Sequence, residues 1–295
     1  MSKRETDSAA WTTRGLLAWT ARYFERQGLD SARLAAEMLL AHVLEVPRIN
    51  LYMDLDRPTT QLERAAFRDL VERAAAHEPV DYLVGQSPFF SAMFKVTPDV
   101  LIPRPSTETL VEHVLQHARR TPGFRAPLIA DVGTGSGAIC VSVARQIDDA
   151  HVIATDISAS ALAVACENAA THDVSDRVDF VEGDLLTPLE GKRVRYLLSN
   201  PPYISDAEWR DVAPNVKDYE PERALRGGAD GLELLRPIIE QAPGVMDSPG
   251  QLVVEIAASQ KQAVLDIAAG VGGYDNAHVL VDHERLPRVL VCDVK

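Results

Sequence analysis

Leu128-Ile129-Ala130-Asp131-Val132-Gly133-Thr134-Gly135-Ser136-Gly137 is the stretch that decides the fold. Its apolar first half reads as a buried strand, three glycines at alternate positions follow, and a helical pattern opens at Ala138. Glycine lets the backbone turn and pass close to a ligand with no Cβ in the way. The helix N-terminus behind the loop offers free N–H groups to that ligand. Working outward, strand patterns at 152–156, 178–181, 194–199, 252–256, 278–281 and 288–291 alternate with helical patterns at 159–170, 232–241 and 260–269. Such alternation predicts an α/β fold with a mostly parallel, seven-stranded sheet.

Ligands of open α/β sheets bind at the carboxyl ends of the strands, so the residues ending each strand carry the chemistry. Asp156 ends the second strand and suits ribose hydroxyls. Asp184 ends the third, and an adenosine fits between Asp156 and the Asp184-Leu185 turn; taken singly, Asp184 reads equally well as a turn cap. Gly133-x-Gly135-x-x-Ala138 satisfies a loose dinucleotide pattern, so the loop alone leaves both a nicotinamide dinucleotide and S-adenosylmethionine open. The fourth strand runs into Asn200-Pro201-Pro202-Tyr203. Two prolines stop a strand, because neither donates to the ladder and each fixes its own φ. The residue before a proline is driven extended. Asn200 is thereby held at a strand end with its carboxamide and the nearby carbonyls facing outward, an arrangement suited to gripping a planar group that bears an –NH2.

The chain has 295 residues and a formal charge of −13, with net −1 over residues 1–80 and −12 beyond them. An acidic second half disfavours bulk nucleic acid as the main partner, which calls for a basic face. No apolar run reaches the roughly 18 residues a membrane helix needs. Met1-Ser2-Lys3-Arg4-Glu5-Thr6-Asp7 leads into no secretory h-region. The scattered Cys140, Cys166 and Cys292 read as small core residues in a reducing compartment. The expected location is therefore cytoplasmic. His113 and His117 have metal-ligand spacing but no third ligand in view, so they read as a solvated helix face with no metal site.

Residues 1–80 read as a helical substrate-docking domain, with apolar stripes at Leu34, Met38, Leu39, Val43 and at Leu62, Phe67, Leu70, Val71, broken at Gly28, Pro47 and Pro58. Residues 81–105 read as a hairpin or extended connector that passes through Pro103-Arg104-Pro105, and residues 106–295 as the catalytic domain.

Asp131-Val132-Gly133-Thr134-Gly135-Ser136-Gly137, Asp156, Gly183-Asp184 and Asn200-Pro201-Pro202-Tyr203 together resemble the class I, Rossmann-like S-adenosylmethionine-dependent methyltransferases that act on planar nitrogens. Leu101-Ile102-Pro103-Arg104-Pro105, Thr107-Glu108, Tyr219-Glu220-Pro221-Glu222-Arg223-Ala224-Leu225 and Gly227-Gly228-Ala229-Asp230-Gly231-Leu232 narrow the resemblance to the HemK family. Its members methylate the glutamine of the Gly-Gly-Gln loop in peptide chain release factors. The resemblance runs from about Tyr82 to Val291 and implies S-adenosylmethionine as cofactor and release factors as protein partners, without stable nucleic-acid binding. It implies that Gly133, Thr134, Gly135, Ser136, Gly137, Asp156, Asp184, Leu185 and Asn200 hold the cofactor. Asn200, Pro201 and Tyr203 would be catalytic, and Pro202, Arg104 and Glu108 would join them in binding substrate. On this reading the Asn200 side-chain oxygen and the Pro201 carbonyl would each accept one amide hydrogen, Tyr203 would pack beside the amide, and no general base would be required. Arg104 and Glu108 read equally as a structural ion pair. Ser106, Leu185 and Ala257 depart from the family pattern, which usually has Asp, an aromatic residue and Gly there. Methylation of a large-subunit ribosomal protein glutamine, or of a nucleic-acid adenine, uses the same corner and stays open as an alternative.

Overall fold

The computed structural model describes residues 11–121 and 125–295, so the Met1–Asp7 segment lies outside the described residues. The chain forms two compact units, divided between Gly85 and Gln86.

The first unit holds helices α1 (Thr13–Gln27), α2 (Ala32–Val43), α3 (Gln61–Ala75) and α4 (Val80–Val84). Local chemistry fixes their ends. Thr12 accepts from the Gly15 amide to start α1, Gly28 ends it at φ +76°, and a reciprocal Thr60–Glu63 capping box starts α3. Leu17, Phe24, Leu39, Leu40 and Phe67 form the core. Leu34 and Leu62 do not join it: Leu62 is 82% exposed. In α2 the buried stripe is carried by Ala32, Ala35, Ala36, Leu39 and Leu40, rotated from the stripe that the large side chains suggest. Small alanines serve there because they let neighbouring helices approach closely.

The second unit opens with a hairpin of β1 (Gln86–Phe89) and β2 (Ala92–Lys95). Then come α5 (Glu108–Arg120), β3 (Leu128–Val132), α6 (Ala138–Gln146), β4 (His151–Asp156), α7 (Ala159–Thr171), β5 (Val178–Glu182) and β6 (Val194–Ser199). It closes with α8 (Pro214–Lys217), α9 (Leu235–Gln241), β7 (Met246–Glu255), α10 (Lys261–Gly270), β8 (Tyr274–Val281) and β9 (Pro287–Val294). Seven strands form one sheet in the order β5-β4-β3-β6-β7-β9-β8, with β9 antiparallel to both its neighbours. The central strands are mostly apolar because both sheet faces are covered. One face packs Leu110, Val114, Ile139 and Val143; the other packs Leu235, Ile238, Ile239 and Val264.

The order reverses between β3 and β6, and register does the rest. Val132 pairs with Thr155 on one side and Ser199 on the other, Asp156 pairs with Glu182, and Ser199 pairs with Val254. Gly133, Asp156, Glu182, Asn200 and Glu255 therefore stand in one row along the carboxyl edge, with Gly183 one residue beyond it, at the switch point where open sheets bind ligands.

Two smaller expectations change. Cys140 and Cys292 are buried, but Cys166 is exposed on α7. His113 and His117 are not a solvated face. His113 Nε2 lies 3.0 Å from Gln251 Oε1, and His117 Nδ1 bonds the Tyr196 hydroxyl. Burial pushes both imidazoles below their ordinary pKa. Among the described residues no group of three His, Cys, Asp or Glu side chains is placed to hold a metal ion.

Candidate active site

One cleft at this edge is lined by Val132, Gly133, Gly135, Asp156, Asp184, Leu185 and the Asn200-Pro201-Pro202 corner. The glycine loop is stitched to β4, with the amides of Gly133 and Thr134 both donating to the Thr155 carbonyl at 2.8 and 2.9 Å. Gly133, Gly135 and Gly137 all have positive φ. A Cβ on Gly133 or Gly135 would meet nothing within 4 Å, so these two border open space in the cleft. A Cβ on Gly137 would lie 3.0 Å from the Ala165 Cβ; this glycine serves helix packing. Thr134 and Ser136 are buried and turn inward. Thr134 Oγ1 donates to Asp131 Oδ2 at 2.6 Å, and the Ser136 carbonyl accepts from Asn168 at 2.8 Å. Thr134, Ser136 and Gly137 thus shape the loop, and Gly133 and Gly135 alone of the five line the cleft.

Two carboxylates take the donors that a pyrophosphate would need. Asp156 accepts from the Gly135 and Ser158 amides, each at 2.9 Å. Asp131 accepts from the Cys140 amide at the start of α6 at 3.1 Å. A loop whose amides are already paired with carboxylates is a poor phosphate cradle. Asp99, Asp156 and Asp184 make the cleft acidic, with Arg223 as a cation in its wall. Such a site suits a cationic cofactor with ribose hydroxyls, because acidic walls concentrate positive charge. Ile157, 57% exposed, and Leu185, held at φ +48°, line the same cleft and offer apolar surface to a flat ring. The residues fit S-adenosylmethionine and fit a nicotinamide dinucleotide badly.

Asp131 is fully buried, its Oδ1 has no hydrogen-bond partner, and desolvation pushes its pKa up from 3.8 to about 6. A folded-state pKa above the unfolded one means that the folded chain binds this proton more tightly. Stability from this group is present below pH 4 and lost as pH rises from about 4 to about 6, by on the order of 3 kcal/mol. Asp131→Asn is expected to remove that loss. Urea denaturation of both proteins at pH 4 and pH 7 checks it, with the variant gaining on the wild type as pH rises.

The Asn-Pro-Pro-Tyr corner is fixed from several sides. Asn200 Nδ2 donates to Thr107 Oγ1 at 3.1 Å, and the Tyr203 hydroxyl donates to Glu255 Oε1 at 3.3 Å. Tyr203 packs against an apolar cluster and does not line the cleft; burial, then the Glu255 charge, pushes its phenol pKa up. Gln260 Nε2 donates to the carbonyls of Tyr203 and Gly231, both at 2.9 Å. A Cβ on Gly231, which has φ +74°, would fall 2.3 Å from the Tyr203 carbonyl oxygen. Gly231→Ala is expected to cost on the order of 3 kcal/mol and to shift the corner. Calorimetry should show the lower melting temperature, with turnover falling beside it.

Arg104 pairs with buried Glu220, which also accepts from the Ile102 amide at 3.1 Å. That ion pair ties together two segments whose neighbours, Asp99–Leu101 and Pro221–Ala224, line the cleft. Glu108 Oε1 accepts from the Phe90 amide at 2.9 Å. Arg104 and Glu108 are engaged within the protein and not in the cleft wall. Ile157, Glu255 and Gln260 have no site role in the sequence reading, and Thr107 enters it only as part of a family motif. The one signal available was Glu255 itself, a carboxylate closing the apolar run Leu252-Val253-Val254.

The sheet order, the acid-lined glycine-loop cleft and the Asn-Pro-Pro-Tyr corner at the strand end define a class I, S-adenosylmethionine-dependent methyltransferase. The crystal structure of a methyltransferase from Pyrococcus furiosus shares this fold, with a TM-score of 0.51 at 15% identity over 70% of this chain and 90% of that one. Residues 15–85 match the PrmC N-terminal domain and residues 105–216 the Methyltransferase small domain. The release factor glutamine methyltransferase of Geobacter sulfurreducens is 41% identical over 90% of this chain and 91% of its own length. That of Chlorobaculum tepidum is 37% identical over 97% and 98%. The chain belongs to the release factor glutamine methyltransferase family.

Proposed function

We propose that this chain methylates the side-chain amide nitrogen of the glutamine in the Gly-Gly-Gln loop of peptide chain release factors, in the cytoplasm. The supporting observation is that the Asn200-Pro201-Pro202 corner lines the same cleft as Gly133, Asp156 and Asp184. An amide nitrogen is a weak nucleophile because its lone pair is delocalised into the carbonyl. S-adenosylmethionine, when bound, supplies a methyl group on a cationic sulfur. The protein's task is positioning. Asp156 would hold the ribose hydroxyls, and Ile157 and Leu185 would border the adenine. With Asn200 Nδ2 on Thr107, Oδ1 remains as the carboxamide's acceptor for one amide hydrogen, and the Pro201 carbonyl takes the other. Both acceptors raise electron density on the nitrogen and hold its lone pair toward the methyl group. Tyr203 flanks the corner. The proton leaves to solvent after transfer, so no side chain is assigned as a base.

A labelled-cofactor assay run in parallel on a release factor, large-subunit ribosomal protein, DNA and RNA tests this reading. Label is expected in the release factor alone; label only in ribosomal protein or nucleic acid would overturn the substrate assignment.

A further inference from the structure

We infer that Glu255 and Thr107 are positioning residues that fix which end of the Asn200 carboxamide faces the substrate. The inference rests on the proposed role of Asn200 and carries it one layer deeper into the protein.

Glu255 is fully buried at the end of β7, one position past the Val254 that pairs with Ser199. A buried carboxylate is costly unless donors surround it. Thr107 Oγ1 donates to Glu255 Oε2 at 2.5 Å, and Ser106 Oγ and the Tyr203 hydroxyl donate to Oε1 at 3.2 and 3.3 Å. Arg288 on β9 adds a favourable charge. An ionised carboxylate accepts only, and a threonine hydroxyl has a single proton. With that proton committed to Glu255, the Thr107 oxygen can only accept, and what it accepts is Asn200 Nδ2 at 3.1 Å. The flipped carboxamide would set Oδ1 against the threonine lone pairs and turn its –NH2 toward the –NH2 of the substrate. Both contacts would be repulsive. A carboxamide has nearly the same shape either way round, so sterics alone would not choose. The choice is made two hydrogen bonds away, by a carboxylate outside the cleft wall. Ser106 joins the arrangement as a neutral donor, a contact that an aspartate there could make only when protonated.

Burial lifts the Glu255 pKa above the usual carboxylate range. Protonation would let Glu255 donate to Thr107 and free the threonine hydroxyl to turn toward Asn200. Turnover should therefore be present above that raised value and fall as pH drops through it. The groups facing Glu255 are Ser106, Thr107, Tyr203 and Arg288.

The test is Thr107→Val, which keeps the shape and removes the hydroxyl, with Thr107→Ser as rescue and Glu255→Gln as an independent break. Thr107→Val and Glu255→Gln are expected to lower kcat by roughly 10- to 100-fold. Cofactor Kd and release-factor KM should stay within about threefold, and Thr107→Ser should stay near wild type. The acid limb of the pH profile should vanish in Thr107→Val. Nitrogen-15 NMR of the Asn200 side chain should show exchange-protected –NH2 protons in the wild type and unprotected ones in Thr107→Val. Wild-type kcat in Thr107→Val, or unchanged protection, would overturn the inference. If Thr107→Val fails to bind cofactor, Glu255→Gln decides by the same readouts. Absence of glutamine methylation by the wild type would instead sink the proposed function, leaving the NMR comparison to judge the positioning on its own.

Discussion

Asn200→Ala is expected to reduce methyl transfer to a release factor by roughly 10²- to 10³-fold, the loss typical of removing one oriented polar contact from a transition state. S-adenosylmethionine affinity should change by less than about tenfold, since the loss falls mainly on the transition state. The asymmetry follows from the geometry. Asn200 shares the cleft with Gly133 and Asp156, but its own polar partner is Thr107 and not the glycine loop. Removing the carboxamide leaves the loop's stitches to Thr155 and Asp156 intact. Single-turnover kinetics beside calorimetric cofactor titration measures both quantities. A variant with undiminished single-turnover rate would remove Asn200 from the reaction.

Asp156→Ala should do the reverse. Each oxygen of this carboxylate already accepts one backbone amide and has a lone pair left for a ribose hydroxyl. Hydrogen bonds to a charged group contribute about 1.5–3 kcal/mol, so cofactor affinity should fall roughly 10- to 100-fold. The rate at saturating cofactor should stay within about threefold, because nothing in the substrate grip has changed. Isothermal titration and initial rates at high cofactor separate the two. Unchanged cofactor affinity would show that Asp156 serves only to fold the loop through Gly135 and Ser158.

Much of this is legible in the sequence. Buried parallel strands read as apolar runs, and the residue ending each run marks the functional edge, which is how Asp156, Asp184 and Asn200 came forward. What the chain order hides is register. Nothing in the sequence says that Glu255 stands beside Asn200, because that depends on how β6 and β7 slide, and a bulge between Val194 and Tyr196 sets the slide. The same irregularity bears on the start of β7: the apolar pattern predicts that strand from Leu252, yet it begins at Met246 and ends at Glu255. The glycine loop was legible as a whole but not residue by residue. Positive φ at alternate positions sends Gly133 and Gly135 to the cleft and turns Thr134 and Ser136 into the protein. Arg104 was visible as a residue aimed by two prolines, but its target, Glu220, lies more than a hundred residues away in sequence.

The most direct test of the central claim is peptide mass spectrometry of a release factor after incubation with this protein and S-adenosylmethionine, with Asn200→Ala in parallel. The account predicts one added methyl group on the glutamine side chain of the Gly-Gly-Gln peptide with the wild type, and almost none with the variant. An unmodified glutamine, or a methyl group mapped to any other residue, would contradict it.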